Sequence, residues 1–180
     1  QTNIAFGLPV FRFHHGASKT IDVSLLMKGG GSENVGCQFS LPDMSLDAGR
    51  DLDGVRRCAL DAVQKAQGDG CTPGVLGICI GGDRASGYEH AREQFFRKLD
   101  DTSSVRTLAK LESKILREAN RLGIGAMGLG GFVTVLGVKI GALSRLPASF
   151  FVSVSFMCWV FRRRGAILGP TGKIGRWLYR

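Results

Sequence analysis

The chain has 180 residues, of which 44% are hydrophobic, and a formal net charge of +9; this length and apolar content suffice for one domain with its own core. The positive charge is concentrated late in the chain without a recognition-helix, zinc-finger or aromatic-platform signature, so we expect no nucleic acid partner. Five scattered cysteines without a Cys-x-x-Cys pair argue against a zinc ribbon or thioredoxin-like motif and favour a reducing, intracellular compartment.

The first predicted elements are two strands, 8–14 and 20–27, of which the second alternates apolar and polar side chains. Residues 15–19 form the predicted turn of a hairpin between them. Further along, the most apolar stretch, 146–161, is shorter than the ~20 residues that a membrane span needs. The sequence therefore predicts an early hairpin and no membrane-spanning helix.

A run of three glycines, Gly29, Gly30 and Gly31, follows the second predicted strand, between Lys28 and Ser32. Three adjacent glycines are expected to stabilise neither a helix nor a strand. A folded protein keeps such a run where its backbone approaches something closely, often an anion held by bare N–H groups. We therefore interpret these five residues as a candidate binding site. The alternative, a flexible linker, disagrees with the domain-like composition on both sides.

Helical and strand periodicities predict the remaining elements. The helices are 51–67, 86–99 and 104–122, and the strands are 75–80, 132–140 and 150–156. The third helix should be capped by an oxygen from residues 101–104 and stopped by Gly123. Hairpins mixed with crossovers predict an α+β fold of mixed α/β layers, with about three main helices flanking mixed sheets. We expect one domain over residues 1–168 and a basic C-terminal tail or linker over 169–180.

Two motifs bear on chemistry. Residues 123–128 match the Gly-x-Gly-x-x-Gly dinucleotide fingerprint, but a predicted helix precedes them and a strand follows, which is the reverse of what the fingerprint needs. Cys71 lies between a helix end and a strand start, and Cys158 lies just past a strand, where a rigid scaffold could hold metal ligands. Taken alone, each cysteine is more commonly a small buried hydrophobe.

Four groups of residues occur in a characteristic order along the chain. They are 28–34, Cys71-Thr72-Pro73 with Ile80-Gly81-Gly82, 122–131, and Arg145-Leu146-Pro147-Ala148-Ser149 leading to Cys158. Together they closely resemble the class I fumarate hydratase family and its L-tartrate dehydratase relatives. The resemblance runs from about Thr2 to Ile167 and covers most of the family's N-terminal, or α, domain.

This resemblance implies the reversible hydration of fumarate to L-malate on a [4Fe-4S] cluster, or the dehydration of L-tartrate. Cys71 and Cys158 match the second and third cluster cysteines of the family. The backbone of Gly29 to Gly31 matches the stretch that approaches the dicarboxylate substrate, with Lys28 and Ser32 beside it. The open iron of such a cluster acts as a Lewis acid on the substrate hydroxyl and carboxylate.

The chain also departs from the family pattern. The first cluster cysteine belongs to a Cys-Gln-Asp motif that this sequence lacks, and the C-terminal, or β, domain that should carry substrate arginines and the base is absent. A family histidine before Arg145 is replaced by Leu143-Ser144, and Phe132-Val133 stands where the family tends to have Lys-Thr or Arg-Thr. We therefore expect the isolated chain to be inactive.

These departures leave alternatives open. The sequence begins with Gln1, which suggests a trimmed chain or a piece of something longer. A partner chain, or segments of the same protein outside this sequence, would supply the first cluster cysteine and the β domain, and we expect an oligomer. A degenerate, non-catalytic subunit of a larger complex is the competing interpretation. Cys37 is the least implausible replacement for the missing ligand, ahead of Cys58 and Cys79. Both the mitochondrial matrix and the cytoplasm suit the composition.

Overall fold

The computed structural model describes residues 6, 7, 9–160 and 162–179. It divides into two compact units, Leu25–Arg163 and, separately, Gln1–Ser24 with Arg164–Arg180. The strands are β1 (Ile21–Met27), β2 (Cys37–Ser40), β3 (Gly74–Gly82), β4 (Val135–Arg145), β5 (Phe151–Met157), β6 (Arg162–Leu168) and β7 (Ile174–Leu178), and the α-helices are α1 (Gly30–Asn34), α2 (Leu52–Ala66), α3 (Arg84–Glu93) and α4 (Arg106–Arg121). The combination of α-helices with two β-sheets confirms the predicted α+β class.

The larger unit is built on a four-stranded sheet with the order β2-β5-β3-β4. Strand β3 runs parallel to β4 and antiparallel to β5, so the sheet is mixed, as predicted. Leu76 and Ile78 of β3 belong to a buried cluster with the apolar faces of α2 and α4. On the other face, a Cβ on Gly77 would collide with the carbonyl oxygen of Ala91 in α3. The sheet therefore lies between the α2–α4 layer and α3.

Local signals explain where the three main helices begin and end. The carboxylate of Asp51 accepts a hydrogen bond from Gly54 N at 2.7 Å, and Asp83 forms a capping box with Ser86 at the start of α3, as expected of N-cap side chains. The predicted cap of α4 is wrong, because its N-cap is Val105, whose side chain makes no cap hydrogen bond. Gly123 ends this helix as predicted, with a φ of 68°.

An ion network joins α4 to β4 and to the segment after α3. Glu112, which is 5% exposed, accepts from Arg97 Nη1 and from Ile140 N, both at 2.7 Å. Asp101 accepts from Arg97 Nη2 and from Lys139 Nζ, both at 2.9 Å. Burial raises the pKa of Asp101, but the hydrogen bonds from Arg97 and Lys139 outweigh it, and the pKa lies below its ordinary value. The network fixes the second turn of α4 on the sheet.

The second sheet has the order β1-β6-β7, and it corrects the predicted hairpin. Residues 9–14 form no strand, and Leu8 lies outside the described residues. The reason is competition between partners: β1 is in the sheet with β6 and β7, and three strands are more stable than an isolated hairpin. Strand β7 pairs antiparallel with β6 and lies within residues 169–180, where sequence analysis predicted no strand.

Within the described residues, no helix is both long and apolar enough to cross a membrane. The apolar stretch 146–161 contains β5 instead, and Val152 and Val154 of this strand are fully buried in the core.

Candidate functional site

The glycine run lies where β1 ends, and its conformation corrects the prediction. Gly30 and Gly31 form the first turn of α1, with Gly29 as its N-cap, although three glycines were expected to avoid a helix. Tertiary contacts override the weak intrinsic preference of glycine here. The Ser32 hydroxyl donates to Gly29 O at 3.2 Å. The backbone of all three glycines is exposed.

Lys28 and Ser32, the two polar residues predicted beside the glycines, point inward. The Lys28 side chain is 5% exposed; its ammonium donates to Ser32 O at 3.1 Å and to the Glu33 carboxylate. Burial lowers the pKa of Lys28, and the hydrogen bond to Glu33 opposes this shift. Ser32 is 1% exposed. Both side chains therefore hold α1 in place, and the Lys28 ammonium forms an ion pair with the Glu33 carboxylate.

Cys71 lies directly against this short helix. A Cβ built on Gly31 would be 3.2 Å from Asp69 O and 3.8 Å from Cys71 Sγ, so the backbone of α1 touches the loop between α2 and β3. Cys71 has a φ of 54°, a left-handed conformation that is uncommon for residues other than glycine. A side chain at position 31 would therefore press on the carbonyl oxygen of Asp69 in this loop.

Cys158 follows β5 immediately and reaches the same region. Trp159 N lies 3.5 Å from Cys71 O in a backbone hydrogen bond, which joins the segment after β5 to the Cys71 loop. The ammonium of Lys28 also interacts electrostatically with Cys158. Both cysteines are partly exposed and free. The structure thus brings Cys71, Cys158, Lys28 and Gly31 together. The roles of the two cysteines as metal ligands, and of Lys28 and Gly31 in substrate binding, stay predictions.

The glycine-rich loop 123–131 lies on the other side of the Cys71 loop. Thr72 donates from Oγ1 to Gly125 O at 2.5 Å, and Thr72 O accepts from Met127 N at 2.9 Å. A Cβ on Gly68 would collide with the backbone of Met127. Three segments far apart in the sequence therefore meet, and the close approach of their backbones explains their glycine content.

The other three cysteines have a different environment. Burial raises the pKa of the Cys37 thiol to about 11 and those of Cys58 and Cys79 to about 12. Each of these three thiols is therefore harder to ionise than an ordinary cysteine, because burial disfavours the thiolate. No group of three or more His, Cys, Asp or Glu side chains that could hold a metal ion occurs among the described residues. Two accessible thiols fit a cluster site that is completed from elsewhere.

Helix α3 contributes two polar side chains that sequence analysis did not single out. Burial raises the pKa of Tyr88, which interacts electrostatically with Glu33 and Arg92. A Cβ on Gly36, just after α1, would overlap the Tyr88 hydroxyl. Arg92 also interacts with Lys28. The helical pattern predicted α3 itself, but only the fold places these side chains beside α1.

Comparisons with known proteins identify the family of this chain. The sequence profile of the family described as "Fumarate hydratase (Fumerase)" matches residues 1–167. The chain belongs to this family, in the class I group that includes the tartrate dehydratase α subunits, as the resemblance predicted. It is 52% identical to a protein of Geobacillus stearothermophilus named "Putative fumarate hydratase class I", over 98% of this chain and 35% of that protein.

A second relative is named for a different substrate. The chain is 29% identical to the L(+)-tartrate dehydratase subunit alpha of Escherichia coli strain K12, over 82% of this chain and 46% of that protein. The chain thus spans between a third and a half of the length of these two relatives. Lyase chemistry is the property that their names share.

Proposed function

We propose that this chain is the α portion of a class I fumarate hydratase, in which Cys71 and Cys158 supply two of the three thiolates that hold a [4Fe-4S] cluster. The third thiolate, the catalytic base and further substrate contacts come from outside this chain. The observation that carries the proposal is the meeting of Cys71 with Gly31 on one side and with Trp159, next to Cys158, on the other. When bound, the cluster supplies an open iron that acts as a Lewis acid.

The chain's own residues bind and orient the dicarboxylate. The exposed backbone of Gly29 to Gly31 admits a carboxylate closely because no side chain covers it, and peptide N–H groups are suitable donors for an anion. The Lys28 ammonium is paired with Glu33 and donates to Ser32 O, and these contacts hold the peptide donors in position. Preorganised donors of this kind stabilise the negative charge that develops on a carboxylate as a proton leaves its neighbouring carbon.

The cluster is tested by iron analysis. We expect the assembled enzyme, purified without oxygen, to be brown with absorbance near ~400 nm. Cys71→Ser and Cys158→Ser should each abolish iron binding without changing the circular dichroism spectrum. Cys37→Ser is the matched control, because Cys37 is also partly exposed, and it should keep its iron. Unchanged iron in either ligand variant would refute the assignment.

A non-catalytic subunit is the competing function, and the departures from the family pattern favour it: Leu143-Ser144 stands in place of the family histidine and Phe132-Val133 in place of Lys-Thr or Arg-Thr. An iron-free assembly purified under the same conditions would establish it. Tartrate is the competing substrate, because a relative is named for it. Parallel assays of the assembled enzyme with L-malate and L-tartrate separate the two, and we expect the higher kcat/KM with L-malate.

A further inference from the structure

The glycine-rich loop that contacts Thr72, together with the two residues after it, carries a set of exposed apolar side chains. Met127 is 51% exposed, Leu129 89%, Phe132 96% and Val133 46%; we call these four side chains the 127–133 surface. The loop is held by its own backbone, with Gly130 N donating to Ile124 O at 2.8 Å. Apolar side chains fixed outward on a hydrogen-bonded loop are typical of an interaction site, because their exposure to water is unfavourable.

A basic cavity adjoins this surface. It has a volume of about 520 Å³, and its lining includes Arg117, Arg121 and Phe132. Both arginines are exposed, and neither has an acidic partner among the residues that the structure describes. They lie one turn apart on α4, so both guanidinium groups edge the same apolar area. A complementary surface would be apolar in its centre and acidic beside these arginines.

The surface is continuous with the candidate site. Met127 N donates to Thr72 O, next to Cys71, so the exposed loop forms one side of the region that holds the two thiols. The proposed function leaves this region incomplete in the present chain, and the relative from Geobacillus stearothermophilus has about two thirds of its length outside the match. The part of the enzyme that completes the site has to lie beside it, and the 127–133 surface is an exposed apolar area there.

We infer that the 127–133 surface, with Arg117 and Arg121, is the docking site of the polypeptide that completes the enzyme, and that this polypeptide presents an apolar face edged by carboxylates. The inference rests on the proposed function. A second copy of this chain is a poorer occupant, because a two-fold contact with its axis beside Arg117 and Arg121 would bring these arginines close to their own copies, and like charges across an interface are unfavourable.

The test compares the chain alone with the chain co-expressed with the parts of the Geobacillus stearothermophilus relative that lie outside the aligned region. Hydroxyl-radical footprinting reads the oxidation of Leu129 and Phe132 by mass spectrometry. We expect oxidation of both to fall at least fivefold in the complex. Unchanged oxidation in a formed complex, equal protection in a self-associated chain alone, or no association of the soluble parts would each overturn the inference.

Variants supply a second measurement. Leu129→Ser combined with Phe132→Ser should weaken the association with the co-expressed parts of the relative at least tenfold. Arg117→Glu combined with Arg121→Glu should weaken it by a similar factor and also reduce the salt dependence of the association. Met44→Ser is the matched control, because Met44 is 87% exposed, and it should change nothing. Circular dichroism verifies that each variant folds. An unweakened affinity in both double variants contradicts the inference.

Iron analysis of the same samples separates this inference from the proposed function. A protected 127–133 surface in a colourless complex would count against the proposed cluster and leave the docking site standing. A brown, iron-loaded complex in which Leu129 and Phe132 stay fully oxidisable would support the proposed cluster and contradict the docking site.

Discussion

At the scale of single residues, Gly31 is the position where the glycine run meets the Cys71 loop. Gly31→Ala would set a Cβ 3.2 Å from Asp69 O and 3.8 Å from Cys71 Sγ, so the loop has to shift. We expect the assembled enzyme to lose at least half of its iron. Gly30→Ala is the control, since a Cβ there meets nothing within 4 Å, and it should keep full iron content. Equal iron content in both variants would contradict the close contact between Gly31 and the Cys71 loop.

The five cysteines should differ in their reaction with iodoacetamide. Burial raises the pKa of Cys37 to about 11 and those of Cys58 and Cys79 to about 12, and only the thiolate reacts. We expect Cys71 and Cys158 of the iron-free chain to be alkylated first at pH 8, at least tenfold faster than the other three. Peptide mass spectrometry over time measures the order. Early modification of Cys58 or Cys79 would contradict the buried positions.

At the scale of elements, the sequence predicts what depends on local patterning. Helix α2 and strand β3 were predicted within a few residues, because a helical apolar face and a short continuous apolar run are each marked in the sequence. The hairpin at residues 8–27 was wrong because the partner of β1 in its sheet comes from the far end of the chain. Strand β6 starts at Arg162 with three arginines, a composition that gives no strand signal.

The contact between α4 and β4 depends on Glu112. Glu112→Ala would leave Arg97 and the amide of Ile140 without their buried acceptor, and removal of one partner from such a pair costs about 3 kcal/mol. We expect the free energy of unfolding in urea to fall by this amount. Glu112→Gln, which keeps an acceptor oxygen, should lose less, and Lys110→Ala on the exposed face of α4 should change it by no more than about 0.5 kcal/mol.

At the scale of the whole molecule, the stability should be highest between about pH 4 and about pH 9. The folded-state pKa of Asp101 lies below its ordinary value, so its contribution is present above the unfolded pKa and is lost as pH falls through the folded one. The folded-state pKa values of Cys58 and Cys79 are about 12 against an ordinary 9.0. Their contribution is complete below pH 9 and is lost as pH rises towards 12.

Urea unfolding at a series of pH values measures this profile. Asp101→Asn should flatten the acid limb, because the carboxylate that has to be protonated is then gone. Cys79→Ala should flatten part of the alkaline limb. An acid limb of unchanged steepness in Asp101→Asn would show that other carboxylates dominate.

The candidate site could be predicted only in part. The glycine run was identified from its own composition, and Cys71 and Cys158 through the order of the motifs that resemble the family; the structure places all three together. The inward direction of Lys28 and Ser32 could not be predicted, because it depends on how α1 is seated. The same holds for Tyr88 and Arg92, whose proximity to α1 follows from the packing of α3 on the sheet and not from any local pattern.

The two hydrogen bonds of Thr72, one to Gly125 and one from Met127, have a thermodynamic consequence. They tie the loop at 123–131 to the residue next to Cys71, so neither segment can change conformation alone. Under the proposed function, a polypeptide that binds the loop and a metal that binds at Cys71 should each change the affinity of the other by the same factor, because such linkage is reciprocal. Subunit association and metal loading would then be two readouts of a single equilibrium.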